Sequence, residues 1–310
     1  MKIAIVGIGG VGGYFGGKLA REYENSPEHE ITFIVRGEHL AAIKKNGLLL
    51  LTKEGDYVAR PKFVTDNPTK SVIFDLVFFC VKSYSLESSA LALKANINKN
   101  TIVIPLLNGV NISQRLRVVL SDPNILQGCV YISSFIEKPG VVRQSEGSCK
   151  LTFGTDDQSA NQYQYILDIM LQAKINATLT DKISQALWTK YLVICPLGSL
   201  TAVTGKTFGG IIEDTKLKNK LLEMIKEIKA IADARKIELQ EDIIDKTIKL
   251  IDGFSYDTKT SMLVDKELGN EMEIDIFTAY VRKVGKELGI PTPLHNEIYL
   301  QLQDEKKYDR

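Results

Sequence analysis

Lys190 is the only charged residue between Lys182 and Lys206, in the stretch "ISQALWTKYLVICPLGSLTAVTG". An ammonium on so apolar a segment has two accounts. Its stem can lie along greasy surface while the charge snorkels to water. Alternatively it stays partly desolvated, where burial disfavours the charged form and makes it a better proton donor near neutral pH. A carbonyl that receives a hydride at carbon needs such a proton at oxygen, and His29, His39 and His295 show no placement that suggests the role. Glu273, in "NEMEIDIF", is a candidate to hold the lysine. Its distance from Asn270 is also capping-box spacing, with Asn270 as N-cap of a helix and Glu273 at its third position. Ser261, in "TKTSML", is small and uncharged and by itself unremarkable.

The other chemical signal is "GIGGVGGYFGG", in which seven of eleven positions from Gly7 are glycine. A signal peptide or an ordinary helix would not use so poor a helix former. Strand-like "KIAIV" precedes it and helix-like "GGKLAREYE" follows, the context in which G-x-G-x-x-G carries meaning. Gly7 allows a tight turn, Gly9 lets backbone approach a diphosphate, and Gly12 lets helix pack on strand. With Ile8, Gly10 and Val11 between them, they form a candidate dinucleotide seat at a helix N-terminus.

Enzymes of this kind that use NAD carry an acid at the end of the second strand, about 20 residues beyond the glycines. Here "ITFIV" is followed by Arg36, Gly37 and Glu38. A guanidinium can clamp a 2′-phosphate, which favours NADPH as cofactor. A solvated surface arginine is the plain alternative, and Glu38 counts against the phosphate. Lys82, just past "DLVFFCV", and Asn108, at the end of "IPLLNG", stand where further strand ends meet the crevice, unless they only cap or solubilise. Ser134 is grouped with them as a cofactor-side candidate.

These residues need elements to position them. Apolar runs at "KIAIV", "ITFIV", "DLVFFCV", "TIVIPLL" and "NILQGCVYI" alternate with helical patterns, which implies a mostly parallel α/β sheet. "EKPGVVRQSEG" and "CKLTFGT" suggest a later pair of strands about a glycine turn. Beyond about Thr180 helical periodicity takes over, at 181–203, 216–236, 241–252 and 271–288. The expected domains are 1–180, binding the dinucleotide, and 181–310, helical and carrying the substrate and catalytic residues. The stretch 183–205 is apolar enough to suggest a membrane span, but Gln185, Lys190, Pro196 and its hydroxyls favour an interior helix. Pro196 is expected to kink it.

Charge excludes some partners. Thirty-nine basic and 38 acidic residues are well mixed, leaving a net +1, so neither nucleic acid nor a membrane surface is an expected partner. Four scattered cysteines fit no zinc or C-x-x-C spacing, so no metal is expected and a cytoplasmic setting is. Exposed helical faces in the second half permit a homodimer.

In its ordered motifs the chain resembles the ketopantoate reductase (2-dehydropantoate 2-reductase) family. They are "GIGGVGGYFGGKLA", "VKSY", "LLNGV", "PGVV", "LWTKYLV", "SLTAVTG", "SML" with "EID" twelve residues on, and "GIPTPLHNEIY". The resemblance implies a Rossmann-type domain followed by an all-helical domain like that of 6-phosphogluconate dehydrogenase. It implies NADPH-dependent reduction of a 2-oxo acid, ketopantoate to pantoate, in pantothenate and coenzyme A synthesis. Lys190 then corresponds to the proton donor, Glu273 to the glutamate near nicotinamide and ribose, and Ser261 to the serine on the substrate carboxylate. Asn108 corresponds to the asparagine beside the nicotinamide, with Arg36 and Lys82 around the 2′-phosphate. The family's substrate-holding asparagines fall at Ile194, Gly198 and Phe208 here, so a more apolar 2-oxo acid is an alternative substrate. A non-catalytic NADP(H) sensor is a further alternative, against which the retained Lys190 and Glu273 argue.

Overall fold

The apolar runs become buried parallel strands. Strand β1 (Lys2–Val6) has four successive buried residues, as does β2 (Glu30–Ile34). Such unbroken burial is what a sheet covered on both faces requires. The computed structural model describes residues 1–308 except Lys70 and Asp122, and leaves out the side chains of Glu146 and 305–308. Two compact units divide the chain, Met1–Ile183 and Ser184–Arg310.

The first unit holds two sheets. Strands β3 (Leu48–Leu51) and β4 (Tyr57–Ala59) belong to the second; β5 (Phe63–Thr65), β6 (Leu76–Phe79), β7 (Ile102–Pro105) and β8 (Asn124–Ile125) join β1 and β2. The first sheet runs β5-β2-β1-β6-β7-β8 with every pairing parallel. Counted along the chain within that sheet, this is the doubly wound order 3-2-1-4-5-6, whose ligand crevice lies where the order reverses, beyond the carboxyl end of β1. Helices α1 (Gly10–Glu22), α2 (Gly37–Asn46), α3 (Leu86–Leu93) and α4 (Ile112–Val119) connect its strands.

The second sheet departs from the sequence reading. Strands β9 (Gln127–Lys138) and β10 (Val141–Gly154) form an antiparallel hairpin about Pro139–Gly140. "NILQGCVYI" is therefore split between β8, two residues long, and β9 in the other sheet. The two later strands expected around a glycine turn are one bulged strand, β10. Gly147 and Cys149 take φ of 94° and 49° there, bending the strand without ending it. Part of β10 pairs with β3 and part with β11 (Asn176–Thr180), which follows helix α5 (Gln164–Gln172).

Helix α1 lies between the sheets, and this explains most of its glycine. A Cβ at Gly16 would press on Ile5 and Phe33, whereas one at Gly13 or Gly17 would press on Val142 or on Leu50 and Leu48.

The second unit is helical: α6 (Ile183–Thr204), α7 (Phe208–Glu213), α8 (Thr215–Ala234), α9 (Ile243–Asp252), α10 (Ser261–Glu267), α11 (Thr278–Leu288) and α12 (Pro293–Tyr308). Among the described residues α6 is the one helix long and apolar enough to cross a membrane, and 72% of its apolar window is buried within the protein. It continues through Pro196 as a single element. Hydroxyls of Ser199, Thr201 and Thr204 donate to carbonyls four residues back in the same helix.

The helix expected from Glu271 begins only at Thr278. Residues 274–276 form a tight 3-10 turn, and Glu273 precedes it without a side-chain capping bond, so the capping box with Asn270 is not formed. Ile274, Ile276 and Phe277 are all buried. The 3-10 turn, rather than an α-helix, carries these side chains into the core.

Candidate functional site

The candidate site in the first unit is the turn after β1. Gly7 has φ of 88°, and a Cβ there would meet the Cys80 carbonyl oxygen at 3.0 Å. Gly12 stands over Gly7, where a Cβ would sit 2.0 Å from the Gly7 oxygen. Gly9, the N-cap of α1, has nothing within 4 Å of where its Cβ would be. Open space beside the N–H groups that begin a helix is what an anion requires. Gly10 serves packing instead: its Cβ would strike the Ser134 carbonyl oxygen at 2.0 Å. Val11 is half-buried in the first turn of α1. The Ser134 hydroxyl is buried and unpartnered, behind the turn.

A cleft of about 360 Å³ opens here, lined among others by Gly7, Ile8, Gly9, Arg36, His39 and Asp66. Four of the sequence candidates thus meet in one cavity. Glu38 is exposed in the first turn of α2 and does not line it. Neither do Lys82 and Asn108, although both follow neighbouring strands at the same sheet edge. Lys82 is half-buried ahead of the short turn Ser83–Ser85, which Arg115 braces through the Ser83 carbonyl at 2.7 Å and through Glu87. Asn108 is half-buried beside Gly109, whose φ is 102°.

Sequence reasoning missed His39 and Asp66. His39 Nδ1 accepts the Gly140 N–H at 2.8 Å, so the neutral ring carries its proton on Nε2. Burial lowers the His39 pKa, with a smaller opposing pull from the Ile8 carbonyl, which lies near Nε2 without hydrogen-bond geometry. No local pattern marks such a residue, because its partner is 101 positions away.

A second group of candidates, in the second unit, lies on α6. Lys190 is 9% exposed, so it does not snorkel into open water, and Glu273 is 6% exposed in the same unit. Their neighbours tie the two segments together: the Tyr191 hydroxyl donates to the Ile276 carbonyl at 2.6 Å. Burial drives the Tyr191 pKa well upward, keeping it a neutral donor. Lys190, Ile194, Gly198 and Thr201 share one stripe of the helix. Ile194 is half-buried; Gly198 is buried, its Cβ position 3.5 Å from the Phe277 ring and 3.9 Å from Met262. At the end of the stripe the Thr201 and Thr260 hydroxyls meet at 2.6 Å, and Thr260 caps α10, whose first residue is the exposed Ser261. Phe208 stands apart, edge-on to Phe254 at 5.1 Å and hydrogen-bonded to the Thr258 carbonyl.

Comparison with known proteins covers both units of the chain. The model of ketopantoate reductase PanE/ApbA matches residues 3–158, and that of its C-terminal part matches residues 182–306. The chain belongs to the ketopantoate reductase family. Within that family of oxidoreductases it is similar to the PanE/ApbA family ketopantoate reductase of Ralstonia eutropha JMP134, with 30% identity, 100% of both chains covered and a TM-score of 0.89. The "uncharacterized oxidoreductase YkpB" of Bacillus subtilis is 26% identical over 304 residues, 98% of each chain. The fold is also that of D-mandelate dehydrogenase, solved with NADH and anilino(oxo)acetate, at 22% identity, 99% coverage of each chain and a TM-score of 0.87.

Proposed function

We propose that this ketopantoate reductase family member is a cytoplasmic NADPH-dependent reductase of 2-dehydropantoate, forming pantoate for pantothenate and coenzyme A synthesis. The observation that carries the reading is Lys190, nearly sequestered on an apolar helix whose next residue grips the segment after Glu273. The open side of Gly9 fits a dinucleotide diphosphate, which the α1 N-terminus would hold, with Arg36 on the adenosine side. When bound, the reduced nicotinamide supplies the hydride. Lys190 Nζ gives a proton to the substrate oxygen as negative charge develops there, and its own charge stabilises that oxygen. Glu273 holds the lysine in place, and Ser261 receives the substrate carboxylate.

A second reading, a more apolar 2-oxo acid as substrate, is favoured by Gly198, which faces Phe277 and Met262 where the family pattern has a polar group. Loss of nicotinamide absorbance with ketopantoate and with branched and aromatic 2-oxo acids separates the two. A clear preference in kcat/KM for ketopantoate supports the first; acceleration only by the apolar acids installs the second. Tight NADPH binding with no turnover of any acid would point to a sensor.

A further inference from the structure

An acid, absent directly after β2, stands directly after the neighbouring strand β5, at Asp66. Strand β5 lies beside β2 in parallel register, Ile34 opposite Thr65, and the Val35 N–H donates to the Thr65 carbonyl at 3.0 Å. The two strands therefore end level, one leading into Arg36 and the other into Asp66. Both residues are exposed, and both line the cleft that contains Gly7 and Gly9. A carboxylate and a guanidinium thus share the wall next to the diphosphate turn. Glu38, nearer in sequence, stays outside.

The two groups ask for different ligands. A carboxylate accepts the hydrogen of a ribose 2′-hydroxyl and repels a 2′-phosphate; a guanidinium clamps the phosphate. We propose that Asp66 is the residue that senses the ribose 2′ position, so that with Arg36 the cleft admits both the plain and the 2′-phosphorylated nicotinamide dinucleotide and Asp66 holds down the preference for the latter. The inference rests on the dinucleotide reading of the cleft. Sequence spacing conceals this acid because only the sheet order places β5 against β2.

Fluorescence titration of the whole protein with NADPH and with NADH gives a ratio of dissociation constants without needing turnover. Asp66→Asn and Asp66→Ser should each shift that ratio about tenfold toward NADPH, the scale of removing one like charge from a binding surface. Arg36→Ala should shift it the other way. Thermal melts establish that the exposed substitutions leave the fold intact. If the wild-type protein binds dinucleotide but both Asp66 variants keep its ratio within twofold, the assignment is wrong while the cleft reading stands. If the wild type binds neither dinucleotide, both fall together.

Discussion

Two glycines of the same motif do opposite work, and single substitutions separate them. A methyl group at Gly12 would collide with backbone at 2.0 Å, whereas one at Gly9 would enter open space. Gly12→Ala should lower the melting temperature by several degrees, a cost of about 1–3 kcal/mol for overpacking. Gly9→Ala should melt like the wild type yet bind NADPH at least tenfold more weakly, because its methyl occupies the diphosphate's place. Equal losses of stability in both would refute the division. Lys190 offers the corresponding test of chemistry. Lys190→Ala should cut kcat at least about 10²-fold, the usual share of a general acid, while NADPH titrates with nearly unchanged affinity. A variant that loses affinity in proportion to rate would make the lysine a binding group instead.

Elements are held by residues that resemble catalysts and are not. Cys195 Sγ lies 3.8 Å from His295 Nε2, and His295 Nδ1 lies 2.6 Å from Glu227 Oε2, an order that suggests an activated thiol. Burial instead pushes the Cys195 thiol far up, away from thiolate. Glu227 acts as a remote cap for α12, accepting the N–H groups of Leu294 at 2.9 Å and His295 at 3.2 Å. Glu227→Ala would strand two helix-end donors and a buried imidazole, so unfolding by urea should show a loss of about 2–4 kcal/mol. Dinucleotide affinity should hold, since the cleft lies in the other unit. A change under 0.5 kcal/mol would mean that water or another group caps the helix.

For the whole molecule, acid sensitivity follows from its histidines. The chain has three, and burial is the largest cause of a lowered pKa in each, at His29, His39 and His295. The unfolded chain therefore takes up these protons first, from about pH 6.5 downward. Stability from the neutral rings is complete above that value and drains away as pH falls through it toward the lower folded-state values. The melting temperature should drop between pH 7.5 and 5.5, and a flat or rising profile would contradict the account.

Periodicity and local spacing determined a good deal: buried parallel strands around a glycine turn, a helical second unit, and Lys190 in apolar surroundings. These depend on neighbours in the chain, where side-chain period and turn geometry are written directly. Tertiary structure decided the rest. A two-residue β8 hands the chain to a second sheet, which gives α1 a second wall and explains glycines that no diphosphate needs. Glu273 lost its expected cap because the chain makes a 3-10 turn over 274–276 and the helix begins only at Thr278. Arg36 was visible from the strand before it, but Asp66 and His39 entered the cleft through partners far along the chain, and burial against distant segments leaves no local trace.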